Sequence, residues 1–223
     1  VGFSHCLLRT TPESMHESHP FRNQRDDLVI TADARLDNRE ELAGLLGLDS
    51  HGLSLLGDSE LILLAYEKWG EQCVTRLLGD FAFAIWDKRK QQLFCAVDFA
   101  RSRPICYYNT REIFFFSSQP SGLLPGKLAP NTINKTRIAG VFFEDITELD
   151  KTTSFYNEIN YLTPASYLII NKHSIRTDTY WSTDEITKIE RNNDQAYQEE
   201  FSALLNDVVK CRLRSSGDIA VAM

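Results

Sequence analysis

The chain has 223 residues, 43% of them hydrophobic and 25% charged, the balance of a globular protein that can bury a core without disulfides or metals. A formal charge of −7 and a pI near 5.3 argue against nucleic acid and anionic membrane as partners, because neither would find a basic patch to hold it. Its apolar runs are too short to span a bilayer as helices.

Residues 27–32 are rich in β-branched side chains and predict a strand. Asp37 with Glu40 three residues on has the form of a capping box, and Leu42, Leu45 and Leu46 supply the apolar stripe of the helix it would open. A second helix follows Asp58, on which Leu61, Leu64, Ala65 and Trp69 recur at helical spacing; Gly70 is its expected stop. In residues 81–86 neither face of a strand would be polar, so that strand must be covered on both sides, and 93–97 repeats the pattern. Segments 104–108 and 113–117 add two more strands, and the short polar turns between them suggest an antiparallel meander.

Residues 125–135 read as a loop and 138–143 as a short helix. A hairpin is predicted from 167–170 and 175–180 around Asn171-Lys172-His173. The polar stretch 182–194 predicts a linker, and a helix over 195–214 follows, with Tyr197, Phe201, Leu204, Leu205, Val208, Val209 and Leu213 on one face. Residues 218–223 read as a strand just begun. With Val1 at the start, both ends are expected to be cuts through folded sequence. Doubly buried strands flanked by helices imply stacked sheets with helices outside, an α+β or four-layer α/β sandwich.

The five cysteines (Cys6, Cys73, Cys95, Cys106, Cys211) are odd in number, scattered and without a CxxC pair, and the five histidines do not cluster with them. A disulfide framework or a metal site is therefore not expected, and reduced thiols in a cytoplasmic protein fit best.

Several runs are specific when taken in order. Ala32-Asp33-Ala34-Arg35-Leu36-Asp37-Asn38-Arg39-Glu40-Glu41-Leu42 resembles a signature of class II glutamine amidotransferase domains, and Gly57-Asp58-Ser59-Glu60 follows at a suitable distance. Leu78 to Asp87 is similar to the central strand of that domain in asparagine synthetases. Ala96-Val97-Asp98, Pro104 to Tyr108, Phe116-Ser117-Ser118, Leu162-Thr163-Pro164-Ala165 and Tyr180-Trp181 continue the pattern. The resemblance implies a four-layer αββα N-terminal-nucleophile sandwich over 1–181, a linker at 182–194, and at 195–223 the start of an α/β ATP-pyrophosphatase domain.

The activity so implied is that of an asparagine synthase. A glutaminase half releases ammonia from glutamine with an N-terminal cysteine thiolate. A synthetase half activates a carboxylate, aspartate first, as an acyl-adenylate using ATP and magnesium. No catalytic residue is placed in this chain, since the nucleophilic cysteine is not found in it; Cys6 is expected to be a small buried hydrophobe. ATP and magnesium belong to the intact enzyme, none is expected bound here, and the chain alone is expected to be inactive. A homodimer is allowed for.

The substrate-binding positions carried by the resemblance are Asp58, for the glutamine α-ammonium, and Asp33-Ala34, where the family has the Asn-Gly pair of its oxyanion hole. Asp58 also suits a helix N-cap. Gly2 to Leu8 resembles a strand that in the family carries an arginine for the glutamine α-carboxylate. Leu7 stands there, and Arg9, on the same face of such a strand, is the candidate to replace it. Leu7 and Asp33-Ala34 fit the alternative better: a β-lactam synthetase or macrolactam cyclase-like protein whose glutaminase-like domain is a non-catalytic scaffold. Asp98 is expected to have a structural role, and Phe114 to Phe116 to be core.

Overall fold

In a computed structural model of the chain, residues 1–142 and 152–219 are described. They divide into two compact units, one of Val1–Thr31, Arg35–Gly79 and Ser182–Met223, the other of Ala32–Ala34 and Asp80–Trp181.

In the first unit, residues 1–10 form no regular element, so the strand expected over Gly2–Leu8 is absent. Strand β1 (Phe21–Arg22) pairs antiparallel with β2 (Leu28–Leu36), Phe21 opposite Ile30. Their turn is held by Asn23, whose Oδ1 accepts the amides of Asp27 and Leu28, both at 3.1 Å. Helix α1 (Arg39–Leu46) starts after Asn38 rather than Asp37. The Asp37 amide is still engaged in extended pairing with the Leu78 carbonyl at 2.7 Å, which keeps that residue out of the helix. Gly47, at φ 80°, ends α1 in the left-handed conformation that glycine adopts most cheaply.

A short helix, α2 (Ser50–Leu55), was not foreseen; Asp49 caps it through the Gly52 amide at 2.7 Å. Helix α3 (Asp58–Trp69) packs on α1 through a buried face that includes Leu61, Ile62, Ala65 and Tyr66, and it stops at Gly70 as predicted. Its N-cap is Gly57, with the Glu60 carboxylate returning to the Gly57 amide at 3.0 Å. Asp58 is therefore the first helical residue and not the cap.

In the second unit, β3 (Gly79–Asp87), β4 (Gln92–Val97), β8 (Ser166–Asn171) and β9 (Ile175–Thr179) lie side by side in that order, each pair antiparallel. Ile85 faces Phe94 across one pair and Phe94 faces Ile169 across the next. All of β4 is buried, as are Phe81, Ala82, Phe83, Ala84 and Ile85 of β3, so both faces of these strands are covered as their sequence requires. Phe81, Phe83, Phe94 and Tyr167 form a run of ring contacts across the strands, with centroids 5.5–5.8 Å apart.

The meander expected from short turns does not continue. Strands β5 (Cys106–Asn109) and β6 (Phe114–Ser117) form a separate sheet with β7 (Ile159–Tyr161), in the order β6-β5-β7, and the second edge of β4 goes to β8. Cys106, Leu123, Ala129 and Ile159 are its core, with Phe115 packed against them. Phe114 and Phe116 instead contact each other, and Phe114 stacks on Tyr107; all three phenylalanines are only partly buried.

Helix α4 (Lys135–Phe142) begins earlier than predicted, opened by Asn134 Oδ1 on the Arg137 amide at 3.0 Å; Phe143 lies outside the described residues, as do 220–223. Helix α5 (Asp194–Arg212) matches its prediction and is capped by Asn193 through the Ala196 amide at 2.9 Å. None of its residues is buried, and the predicted apolar face stands open among the described residues. Residues 218 and 219 carry no strand. No described helix is long and apolar enough to cross a membrane.

Candidate functional site

Asp58 opens α3 but does not serve its own helix. Its Oδ2 accepts the Leu36 amide, at the end of β2, at 3.1 Å. The two motifs that carry Leu36 and Asp58, twenty-two positions apart, are thus joined by one hydrogen bond. The carboxylate is 5% exposed, and burial on that scale requires charge compensation.

Two arginines provide it. Arg39, from the first turn of α1, donates to Asp58 Oδ1 through Nη1, while its Nη2 reaches the carbonyls of Leu53 at 3.0 Å and Leu56 at 2.8 Å. One guanidinium therefore satisfies the C-terminal carbonyls of α2 and fixes the carboxylate at the start of α3. The second is Arg214, two residues beyond the end of α5. Its Nη2 donates to Asp58 Oδ2 at 2.7 Å and to the Leu36 carbonyl at 3.1 Å, and its Nη1 donates to Glu13 Oε2 at 2.8 Å. Burial alone would raise the Glu13 carboxyl; its backbone hydrogen bond and Arg214 outweigh that and hold it below the usual range. Burial likewise works against the Arg214 charge, and Asp58 and Glu13 overcome it.

The segment carrying Arg214 is fastened at further points. Arg35 donates to the carbonyls of Cys211 at 2.7 Å and Arg214 at 2.9 Å. Arg212 lies 3.2 Å from Asp37, and the Ser216 amide donates to the Thr10 carbonyl at 2.9 Å. Glu17 completes the start of α3, accepting the Ser59 amide at 3.0 Å and the Ser59 hydroxyl at 2.6 Å.

Asp33 and Ala34 belong to the other compact unit. The Asp33 side chain is 53% exposed and lies 3.6 Å from Arg103 Nε, a loose, solvated pair; Ala34 is partly buried. The loop that presents Arg103 is built on Asp98, which is fully buried. Its Oδ1 accepts the amides of Ala100 at 2.9 Å and Ser102 at 3.0 Å, and its Oδ2 those of Phe81 and Arg103, both at 3.2 Å. Asp98 has the structural role expected of it. On the same loop Arg101 sits over the Tyr161 ring at 5.0 Å.

The remaining candidates behave differently. Arg9 donates to the Glu17 carbonyl at 3.1 Å and is exposed, and because residues 1–10 are not a strand, the shared-face argument for its replacing Leu7 no longer holds. Cys6 is exposed rather than buried. Cys73, Cys95 and Cys106 are buried, and burial raises their thiols, Cys106 to about 12, so none of the three offers a thiolate at neutral pH. No group of His, Cys, Asp and Glu suited to a metal occurs among the described residues. Arg39 lies within the first signature run, but nothing in its spacing marks it as the partner of Asp58. Glu13, Glu17 and Arg214 had no sequence signal at all, since their partners are distant in the chain.

The glutamine amidotransferase domain family matches residues 1–181. Asparagine synthetase (glutamine-hydrolyzing) 3 of Bacillus subtilis strain 168 is 27% identical over 199 residues, 86% of this chain and 32% of that protein. A putative asparagine synthetase (glutamine-hydrolyzing) 2 of Methanocaldococcus jannaschii is 31% identical over 193 residues, 86% of this chain and 36% of that protein. A solved glutamine aminotransferase class-II domain protein from Silicibacter pomeroyi matches at 16% identity and a TM-score of 0.44, over 73% of this chain and 70% of that one. The chain spans about a third of the length of the curated relatives it matches.

Proposed function

Since the chain belongs to the glutamine amidotransferase domain family and has asparagine synthetases as relatives, we propose that it is the amidotransferase part of an enzyme that converts a carboxylate to an amide using ATP, with aspartate the first substrate. The observation that carries this reading is the hydrogen bond from Leu36 to Asp58, which joins the two signature runs around one buried carboxylate. A buried, oriented carboxylate is the group that would hold the α-ammonium of glutamine by charge-assisted hydrogen bonds. On this reading residues 1–181 fold as the four-layer N-terminal-nucleophile sandwich, 182–194 link, and 195–223 lead into the ATP-using domain.

ATP with magnesium would supply acyl activation in that domain. The phosphate-loop run Ser-Gly-Gly-x-Asp-Ser does not occur in residues 1–223, so no step through the nucleotide is assigned to these residues. In the protein that carries this chain in its full reading frame, glutamine should release ammonia in step with AMP formed from ATP and aspartate. In the folded variant Asp58→Asn should raise KM for glutamine about tenfold or more and leave kcat of the ammonia-driven reaction unchanged, because ammonia, unlike glutamine, has no α-ammonium to be held by that carboxylate.

A second reading is favoured by Leu7 and Asp33. Leu7 brings no charge to a glutamine α-carboxylate, and Asp33 brings a negative charge where an oxyanion would develop. Both suit a scaffold domain of the β-lactam synthetase or macrolactam cyclase kind, with the amine supplied by the substrate. Adenylation of a carboxylate without any glutamine hydrolysis in the full-length protein would decide for this second reading.

A further inference from the structure

The Asp58 site is not left to solvent. Three of its roughly four acceptor positions are taken, one by an amide and two by guanidinium groups. The two cations differ in kind. Arg39 lies nineteen positions from Asp58, within the same run of elements, and its other bonds go to α2. Arg214 lies 156 positions away, on a short segment behind a helix that has no buried residue of its own.

We propose that the Asp58 site is a guanidinium socket, formed by Asp58, Glu13 and the Leu36 carbonyl, whose ligand is the side chain of Arg214. Its three acceptors converge on Arg214 Nη1 and Nη2 at 2.7–3.1 Å, a fork that a guanidinium matches and a single ammonium does not. Beside the socket, Arg35, Asp37 and Thr10 of the same compact unit hold the segment Cys211–Ser216 in place. It follows that an amino-acid ammonium reaches Asp58 only when Arg214 withdraws. This last consequence rests on the reading of Asp58 as the glutamine-binding carboxylate; the socket itself does not.

The test uses the full chain and Arg214→Ala with methylguanidine at millimolar concentration, methylammonium serving as the control. Arg214→Ala should gain about 3 °C in Tm from methylguanidine, while the parent chain and the double variant with Asp58→Asn gain nothing. A folded Arg214→Ala that gains nothing overturns the socket. If Arg214→Ala does not fold, recovery of its circular dichroism by methylguanidine supports the proposal. Failing recovery, hydrogen exchange on Glu13→Gln decides: amides of 213–217 exchanging about tenfold faster than in the parent support the socket, and unchanged exchange overturns it. L-glutamine forms the separate arm. Stabilisation of Arg214→Ala by both methylguanidine and glutamine sustains both ideas, stabilisation by glutamine alone sustains the glutamine reading and overturns the socket, and stabilisation by methylguanidine alone sustains the socket and overturns the glutamine reading.

Discussion

Single residues here act through what surrounds them. Burial, and next the nearby charge of His5, push the His19 imidazole down from 6.5 to about 4, against a backbone hydrogen bond from the ring to Ile30. The two rings stack at 4.4 Å, and His19 Nδ1 is buried without a hydrogen-bond partner. An unfolded chain takes up this proton below pH 6.5 and the folded one only near 4, so stability falls as pH drops through that window. Because the ring is partly exposed, the loss is about 1–2 kcal/mol rather than the full value of the shift. His19→Gln should flatten urea-derived stability between pH 6.5 and 4. Glu13, held below its usual range, contributes stability present above about pH 4.5 and lost as pH falls further, so Glu13→Gln should flatten the decline at the acid end. Asp98 is costly to remove: Asp98→Ala strands four amides and should lower stability by about 3 kcal/mol or more by denaturant titration.

At the scale of elements, backbone proximity sets the limits. Gly79 has φ 139°, and a Cβ added there would lie 2.0 Å from the Arg35 carbonyl oxygen. Gly79→Ala is expected to cost about 2–4 kcal/mol, through a strained backbone and an overpacked contact together, measured by thermal unfolding. Strands β3 and β4 respond to volume instead. Phe94, fully buried between Ile85 and Ile169, should cost about 3–5 kcal/mol as Phe94→Ala. Helix α5 shows the opposite case. With no buried residue, it depends on its cap and its C-terminal bonds, so Asn193→Ala should speed amide exchange in its first turns while barely moving the global transition.

At the scale of the whole molecule, the 182–193 stretch is mostly exposed, polar and irregular apart from a 3-10 turn at Thr183–Glu185. Limited proteolysis should cut first within it, and a fragment beginning near 194 should appear before any cut in β3 or β4. How far the molecule was legible from its sequence follows from the range of the forces involved. The doubly apolar runs 81–86 and 93–97 announced buried strands because burial acts on each side chain where it stands. Gly70 announced a helix stop for an equally local reason. Which strand takes the second edge of β4 was not announced: sheet pairing is a choice among distant partners, and β8 displaced the nearer β5. The signature around Asp33 and Asp58 pointed to a carboxylate that is buried and charge-paired, without naming its partners. Burial, period and cap chemistry are written residue by residue, and these the chain determined alone. The socket at Asp58 was decided only by the tertiary structure, because a buried charge must find its counter-charge in space, and Arg214 comes to it from 156 positions away.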